Sequence, residues 1–435
     1  MKRPLLAAYT HHLETGSTLR WKGRINQVVG NLVESDGPFC FVGESCEISD
    51  ANGRSYSGEI IGFRGSTMLS MTADPLRGVR FGDQIVTWGA RPSVRVGPGL
   101  LGRVVDTGGN PLDGKGDYRA AHTMLIDGSA PLPLERVPIR EPLSCGIRAI
   151  DGFLTCGRGQ RVGIFGGSGV GKSTLIGMMA RGTAADMTVL ALVGERGREV
   201  GEFLEVLGEQ GLRRAVVVVS TSDQSPLLRL RAAHAATAIA EYFASLGRNV
   251  LLIVDSLTRF AMAQREIGLA AGEPPTAKGY TPSVLNTLAK LAERAGNFAQ
   301  GSITAFYTVL MEGDDQQDPV VDTVRSLLDG HVVLDRNLAM RSHYPPISIL
   351  DSLSRLMPSL VTKEHLAKAK AVRLLMAAYA HSEDLVRIGA YQKGSDPVLD
   401  SAIQIIPALN ALLQQQPVEV CGFEDAVGQL MKIPA

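Results

Sequence analysis

Residues 161–174 read R-V-G-I-F-G-G-S-G-V-G-K-S-T, and this stretch limits the fold more than any other. Val162, Ile164 and Phe165 form the short apolar run of a buried parallel strand. Gly166, Gly167, Gly169 and Gly171 then free the backbone to turn sharply. Lys172, Ser173 and Thr174 open a segment in which Leu175, Ile176, Met178 and Met179 continue as a helix. The motif is G-x-x-x-x-G-K-S with a strand before it and a helix after it, the context that gives it meaning. Backbone N–H groups along Gly166, Gly167, Ser168, Gly169, Val170, Gly171 and on to Thr174 can wrap phosphate oxygens, helped by the positive end of the helix. Lys172 brings charge to the β- and γ-phosphates, and Ser173 offers a hydroxyl to Mg2+. The stretch predicts a nucleoside triphosphate site.

The surrounding text supplies the rest of that site. Apolar runs at 161–165, 188–193, 215–219, 250–254, 302–309 and 331–334 alternate with helical segments, notably 226–246 and 283–295. Such alternation predicts a parallel sheet covered on both faces, with ligands at the carboxyl ends of its strands. The run 188–193 ends in Gly194, Glu195 and Arg196, and the run 250–254 ends in Asp255 and Ser256. Asp255 is expected to hold Mg2+ through water. Glu195 is a candidate base for the attacking water, although an isolated glutamate is more often a surface acid.

The flanks have a different texture. Leu5, Leu6, Tyr9 and Leu13 can share one face of a short helix within residues 1–20, which reads as a partner-binding segment or a frayed terminus. From residue 19 to about 94, runs at 25–29, 39–42, 59–63, 68–71 and 84–88 are cut by Gly, Asp or Asn, the rhythm of a small antiparallel barrel. Residues 102–116 are turn-dense and read as a linker, and prolines continue the irregular chain to Ile150. Beyond residues 344–346 the text turns helical at 363–381, 396–416 and 424–431. Ile403, Ile406, Leu409 and Leu412 mark an apolar stripe, and Pro407 should kink or split its helix. The predicted fold class is α/β, with a parallel-sheet domain at 96–360, a β-barrel at 21–95 before it and a helical domain at 361–435 after it.

Composition narrows the setting. Lys+Arg and Asp+Glu balance at 44 each over 435 residues, so the chain carries no overall bias towards nucleic acid or acidic lipid. Five cysteines without a C-x-x-C pair read as reduced core thiols, and the scattered histidines form no metal cluster. The uncharged stretches 295–311 and 401–418 contain Asn and Gln, so neither reads as a membrane span, and no signal peptide opens the chain. The expectation is a soluble cytoplasmic protein.

Longer blocks carry a family resemblance. The loop, G-E-R-G-R-E-V (194–200) and D-S-L-T-R-F-A-M-A-Q-R-E-I (255–267) resemble the catalytic subunits of rotary ATPases and their secretion relatives. The blocks 222–243, 268–284 and I-G-A-Y-Q-K-G-S-D-P (388–397) resemble the flagellar type III export ATPases, from about residue 20 to the C-terminus. The resemblance implies a RecA-like P-loop domain between the barrel and the helical domain, and a homohexameric ring with ATP and Mg2+ at subunit interfaces. It also implies a cytoplasmic enzyme associated peripherally with an inner-membrane export gate. The implied partners are a stator-like regulator at the N-terminal segment, a stalk protein in the ring pore and export chaperone–substrate complexes at the helical domain.

By the same resemblance Glu195 is the catalytic carboxylate, Arg196 helps hold that site and Tyr344 stacks on adenine. Arg355 is the arginine finger offered to the neighbouring subunit, a charge worth roughly 10³–10⁵ in rate. Three features depart from the family pattern: Ser348 stands where Asp is usual, Ala289 and Ala292 interrupt a stretch that usually reads L-P-x-L-L-E-R, and the N-terminal segment is short. An injectisome ATPase shares all the chemistry, but the Ala-rich block 232–240 and Met262-Ala263-Gln264 look flagellar. An ATP synthase catalytic subunit would share Glu195 but not the block 222–243, and a non-catalytic nucleotide-binding subunit usually lacks that carboxylate. An RNA translocase would interleave aromatics with basic residues in the barrel, where Trp21, Phe39, Phe41 and Trp88 are sparse, so nucleic acid is not an expected partner.

Overall fold

The computed structural model describes residues 19–311 and 318–434. All but the last two residues of the expected partner-binding segment therefore lie outside the described residues. Strands β1 (Trp21–Val29), β2 (Leu32–Asp36), β3 (Ser45–Ser49), β4 (Ser55–Arg64), β5 (Thr67–Thr72) and β6 (Gln84–Thr87) close a barrel in the order β1-β2-β5-β4-β3-β6. Alternate residues point inward, and Ile25, Val33, Cys46, Ile48, Ile60 and Ile85 fill the interior. Residues 39–42, read from sequence as a strand, form a loop in which Phe39 and Val42 are exposed. The barrel uses β2 and β3 instead. Ser35 takes an inward position of β2, and β3 offers only Cys46 and Ile48, so their alternation is faint in the text.

The barrel is fastened to the central domain by Arg231, whose Nη2 donates to Glu59 Oε2 at 2.8 Å, and by Met71 packed with Leu227 and Ile267. Strand β7 (Ser93–Val96) pairs with β9 (His122–Leu125), while β8 (Arg103–Val105) joins the edge of the main sheet. The expected linker at 102–116 is thus part of the sheet's border. Arg103 pins its turns with two bonds to the Asp113 carboxylate, at 2.7 and 2.8 Å.

After a small pair, β10 (Pro142–Leu143) with β11 (Cys156–Gly157), come β12 (Arg161–Gly166), β13 (Met187–Glu195), β14 (Ala215–Thr221) and β15 (Asn249–Asp255). They are followed by β16 (Gly296–Asn297), β17 (Ser302–Leu310), β18 (Gly330–Leu334) and β19 (Ile347–Ser354). The sheet order is β19-β18-β12-β17-β15-β13-β14-β8, parallel except for β19, with β16 as a short antiparallel addition on β17. Val, Ile and Leu saturate these strands because both faces are covered. One face carries the helices Pro226–Ser245, Leu257–Ala271 and Pro282–Ala292; the other carries Lys172–Gly182, Gly197–Arg213 and the C-terminal helices.

The C-terminal region is helical at Lys363–Arg387, Pro397–Leu413 and Phe423–Met431. Pro407 does not split its helix, which runs unbroken with the proline on the exposed side. The buried stripe is Leu399, Ala402, Ile405, Leu409 and Leu412, rather than the expected stripe through Ile403 and Ile406. Packing of that stripe on the parallel-sheet domain holds the helix despite the lost backbone bond. Among the described residues no helix is long and apolar enough to cross a membrane.

Candidate active site

The phosphate loop leaves β12 at Gly166 and enters the helix Lys172–Gly182. Gly169 (φ 77°) and Gly171 (φ 92°) adopt the left-handed backbone that side-chain-bearing residues resist. Gly171 is the N-cap, and no side chain bonds to the first N–H groups of the helix, which leaves them for an anion. Gly167, Ser168, Gly169, Gly171, Lys172, Ser173 and Thr174 border a cavity of about 470 Å³. Gly166 and Val170 do not line it. Val170 is buried beneath the loop, and a Cβ on Gly166 would stand 2.9 Å from that of Leu334.

The ends of β13 and β17 line this cavity through Glu195 and Leu310, and the end of β15 meets it through Lys172, as a parallel sheet dictates. Asp255, last in β15 and nearly fully buried, accepts bonds on Oδ1 from Lys172 Nζ (2.6 Å) and Thr308 Oγ1 (2.7 Å). Glu195, last in β13, is also buried, and Arg259 Nη2 donates to its Oε2 at 3.1 Å. Burial pushes the Glu195 carboxyl up to about 7, assisted by its hydrogen bond to Glu199 and the charge of Asp255; Lys172 and Arg259 pull the other way. Near neutrality such a carboxyl can exchange a proton with water, which is what a general base needs.

Arg196 borders the same cavity, but its side chain is 75% exposed and lies 3.8 Å from Glu199. Arg259, which sequence reasoning did not single out, makes the contact with Glu195 that was expected of Arg196. It also donates to the Gly194 carbonyl. The signal was present: Arg259 lies in the first turn of the helix Leu257–Ala271, directly after Asp255 and Ser256.

A second cavity of about 630 Å³ adjoins the first and shares Gly171 and Thr174 with it. Its walls are Tyr344, Pro345, Leu175, Met178 and the segment 414–417. The Tyr344 ring passes so close to the loop that a Cβ on Gly171 would come within 3.4 Å of it. The wall formed by 414–417 is clamped from below. Arg148 Nε donates to the Leu412 carbonyl at 2.8 Å, its Nη2 to the Gln414 carbonyl at 2.5 Å, and its Nη1 to Glu419. The buried Gln415 carboxamide accepts from Arg148 N (3.0 Å) and donates to the Gly146 carbonyl (2.8 Å). Gln415 N donates to the Tyr344 carbonyl at 2.9 Å. A polar cavity for phosphates joined to a larger, more apolar one beside an aromatic ring suits a nucleotide.

Ser173 and Asp255 supply one hydroxyl and one carboxylate, and no cluster of three potential metal ligands occurs among the described residues. That sparse donor set suits Mg2+, which keeps several waters and takes the rest of its ligands from substrate phosphates.

Residues 146–354 match the ATP synthase alpha/beta family, nucleotide-binding domain, and residues 361–432 match the T3SS EscN ATPase C-terminal domain. The flagellum-specific ATP synthase of Bacillus subtilis is 48% identical over 97% of each chain. The chain belongs to the flagellar and type III secretion branch of the ATP synthase alpha/beta family. The type 3 secretion system ATPase of Sinorhizobium fredii, in the same family, is also 48% identical, over 95% of this chain and 92% of its own. The assembled ATPase EscN from the type III secretion system of enteropathogenic E. coli superposes with a TM-score of 0.90 at 43% identity, covering 94% of this chain and 99% of EscN. EscN in complex with its central stalk EscO superposes with a TM-score of 0.87 over the same shares. Like this family, the chain is an ATP-binding P-loop ATPase.

The sequence assigned the finger to Arg355, and the structure places it away from both cavities. Arg355 follows β19, which runs antiparallel to β18 and so ends where β12 begins. Its N–H donates to the Asp329 carbonyl at 3.0 Å, and the Asp329 carboxylate accepts from Arg161 N, the first residue of β12. The phosphate loop starts five strand residues further on, about 17 Å away. Arg355 cannot reach the loop of its own chain.

Proposed function

We propose that this chain is the ATP hydrolase of a flagellar type III protein export apparatus, working as a homohexameric ring in which each nucleotide site is completed by the next copy. The position of Arg355 carries the reading. An exposed arginine at the N-terminal ends of the parallel strands, opposite its own phosphate loop at their C-terminal ends, serves a neighbour's loop when copies meet head to tail. The flagellar assignment is supported by the relatives of that name and by the blocks 222–243 and 388–397. An injectisome ATPase is the second reading, since relatives carry both names.

In this mechanism Lys172 and the N–H groups of the loop bind the β- and γ-phosphates, and the Tyr344 ring stacks on adenine. Ser173 and Asp255 would hold Mg2+, which when bound neutralises charge on the transferring phosphoryl group. Glu195 accepts the proton of the attacking water, and Arg259 keeps its carboxylate aimed. Arg196 stays at the rim, where a neighbour or phosphate can meet it. Arg355 of the adjacent copy places its guanidinium where negative charge spreads in the transition state. The cycle drives delivery and unfolding of export substrates. The further partners are a stalk in the pore, as EscO is for EscN, a regulator at residues 1–20 and chaperone–substrate complexes at the helical domain. A membrane export gate holds the ring peripherally on the cytoplasmic face.

Specific activity should rise with protein concentration as rings form. ATPase rate measured alongside mass over a dilution series tests this, and a rate per subunit that stays flat from monomer upwards overturns the ring. Loss of filaments on deletion of the gene, with secretion by any injectisome intact, separates the two apparatus readings.

A further inference from the structure

Beneath Arg355 lies a buried polar cluster that the nucleotide site does not use. Gln160 is fully buried, one residue before β12. Its Nε2 donates to the Asp329 carbonyl and to Ser354 Oγ, both at 3.2 Å, and its Oε1 accepts from Gly157 N at 2.7 Å. Both amide protons and the carbonyl are therefore engaged. Ser354 Oγ passes its own proton to the Thr155 carbonyl at 2.8 Å. The same Asp329 carbonyl that takes Gln160 also takes Arg355 N. Asp329 is fixed from its other end by Arg161, through N at 3.0 Å and Nε at 3.2 Å, and Arg161 is tied to Glu293.

The ladder leaves no slack at this point. A Cβ on Gly330 would stand 2.6 Å from the Leu353 carbonyl oxygen and 3.2 Å from Ser354 Cα, so β18 and β19 approach more closely than any larger residue allows. Residues 353–355 are thus gripped on both sides, by Gly330 and by Gln160. An arginine that must meet a phosphoryl group across an interface needs such a base, because a misplacement of about 1 Å costs roughly 10²-fold in rate.

We propose that Gln160 is a positioning residue for the arginine finger: its carboxamide, bridging Asp329 and Ser354, fixes the backbone from which Arg355 reaches the neighbouring copy. The proposal rests on the reading of Arg355 as a finger supplied in trans. Gln160 acts on the neighbour's turnover and leaves the pocket of its own chain intact.

Complementation in mixed rings tests it. Glu195→Gln leaves the finger intact and disables the chain's own pocket; Arg355→Ala does the reverse. Mixed in equal amounts, the two should regain activity, since random assembly makes roughly one interface in four complete. Gln160→Leu, which keeps the volume and removes the hydrogen bonds, should lower kcat about 10²-fold with unchanged ATP binding. Mixed with Glu195→Gln it should recover; mixed with Arg355→Ala it should not. Gly330→Ala should fall in the same group and gives a second route should Gln160→Leu fold poorly. Recovery of Gln160→Leu by Arg355→Ala, or wild-type activity of both variants, overturns the positioning role. Failure of the Glu195→Gln and Arg355→Ala pair to recover overturns the finger reading itself, and Gln160 with it.

Discussion

Lys172 Nζ lies 2.6 Å from Asp255 Oδ1, so the cation that should meet phosphate and the carboxylate that should meet Mg2+ neutralise each other. In the proposed mechanism MgATP would part this pair, with Lys172 turning to the phosphates and Asp255 helping to hold the metal. Asp255→Asn should lower MgATP affinity about tenfold or more, while ATP with EDTA binds as well as to wild type or better, because Lys172 is released. Titration calorimetry with and without metal checks both halves. Lys172→Ala should weaken binding of either form.

Glu195→Gln should retain ATP binding and lose about 10²–10⁴-fold in kcat. The raised carboxyl also sets a pH dependence. Below about 7 Glu195 of the free enzyme holds its proton and cannot take another, so kcat/KM should climb through pH 7 and level off above it. The folded chain binds this proton more tightly than the unfolded chain. The resulting stability is complete below 4.5 and lost as pH rises through about 7. A profile in which the glutamine variant keeps the same inflection would assign the titration to another group.

Tyr344→Ala should raise KM for ATP roughly ten- to a hundredfold, in line with about 1–3 kcal/mol for stacking a base on an aromatic ring. Tyr344→Phe should keep most of the affinity, since the ring makes the contact and the hydroxyl has no assigned partner in the stack. Steady-state kinetics on the two variants separate the possibilities.

Arg148→Ala should loosen the wall formed by 414–417 without touching the phosphate cavity. The expected outcome is a KM raised about tenfold with kcat changed much less, the pattern of lost uniform binding. An equal fall in kcat and kcat/KM would instead tie Arg148 to the transition state.

The phosphate loop and Asp255 were legible because each is written locally, as a strand end next to a turn or helix start, whereas Glu195 was locally only a candidate that the family likeness decided. Arg259 was missed although it stands four residues after Asp255, because only the first turn of its helix, once built, swings it towards Glu195. The clamp of Arg148 on Gln415 and Glu419 joins residues more than 260 positions apart, and nothing local announces such a pairing. The strands β2 and β3 were hidden by polar inward residues such as Ser35, and the exposed loop at 39–42 looked more strand-like than either. Pro407 misled in the other direction: its position on the exposed side lets tertiary packing override a strong local signal. Family likeness supplied Tyr344 and Arg355, whose proposed roles depend on chain far away or on another copy.

Strand β19 turns a local antiparallel ladder into a property of the population. By ending just before Arg355 at the N-terminal ends of the parallel strands, it would, under the proposed ring, leave a solitary copy idle by construction. On that proposal fuel consumption would begin only where copies gather, so whatever concentrates them would also act as the ignition.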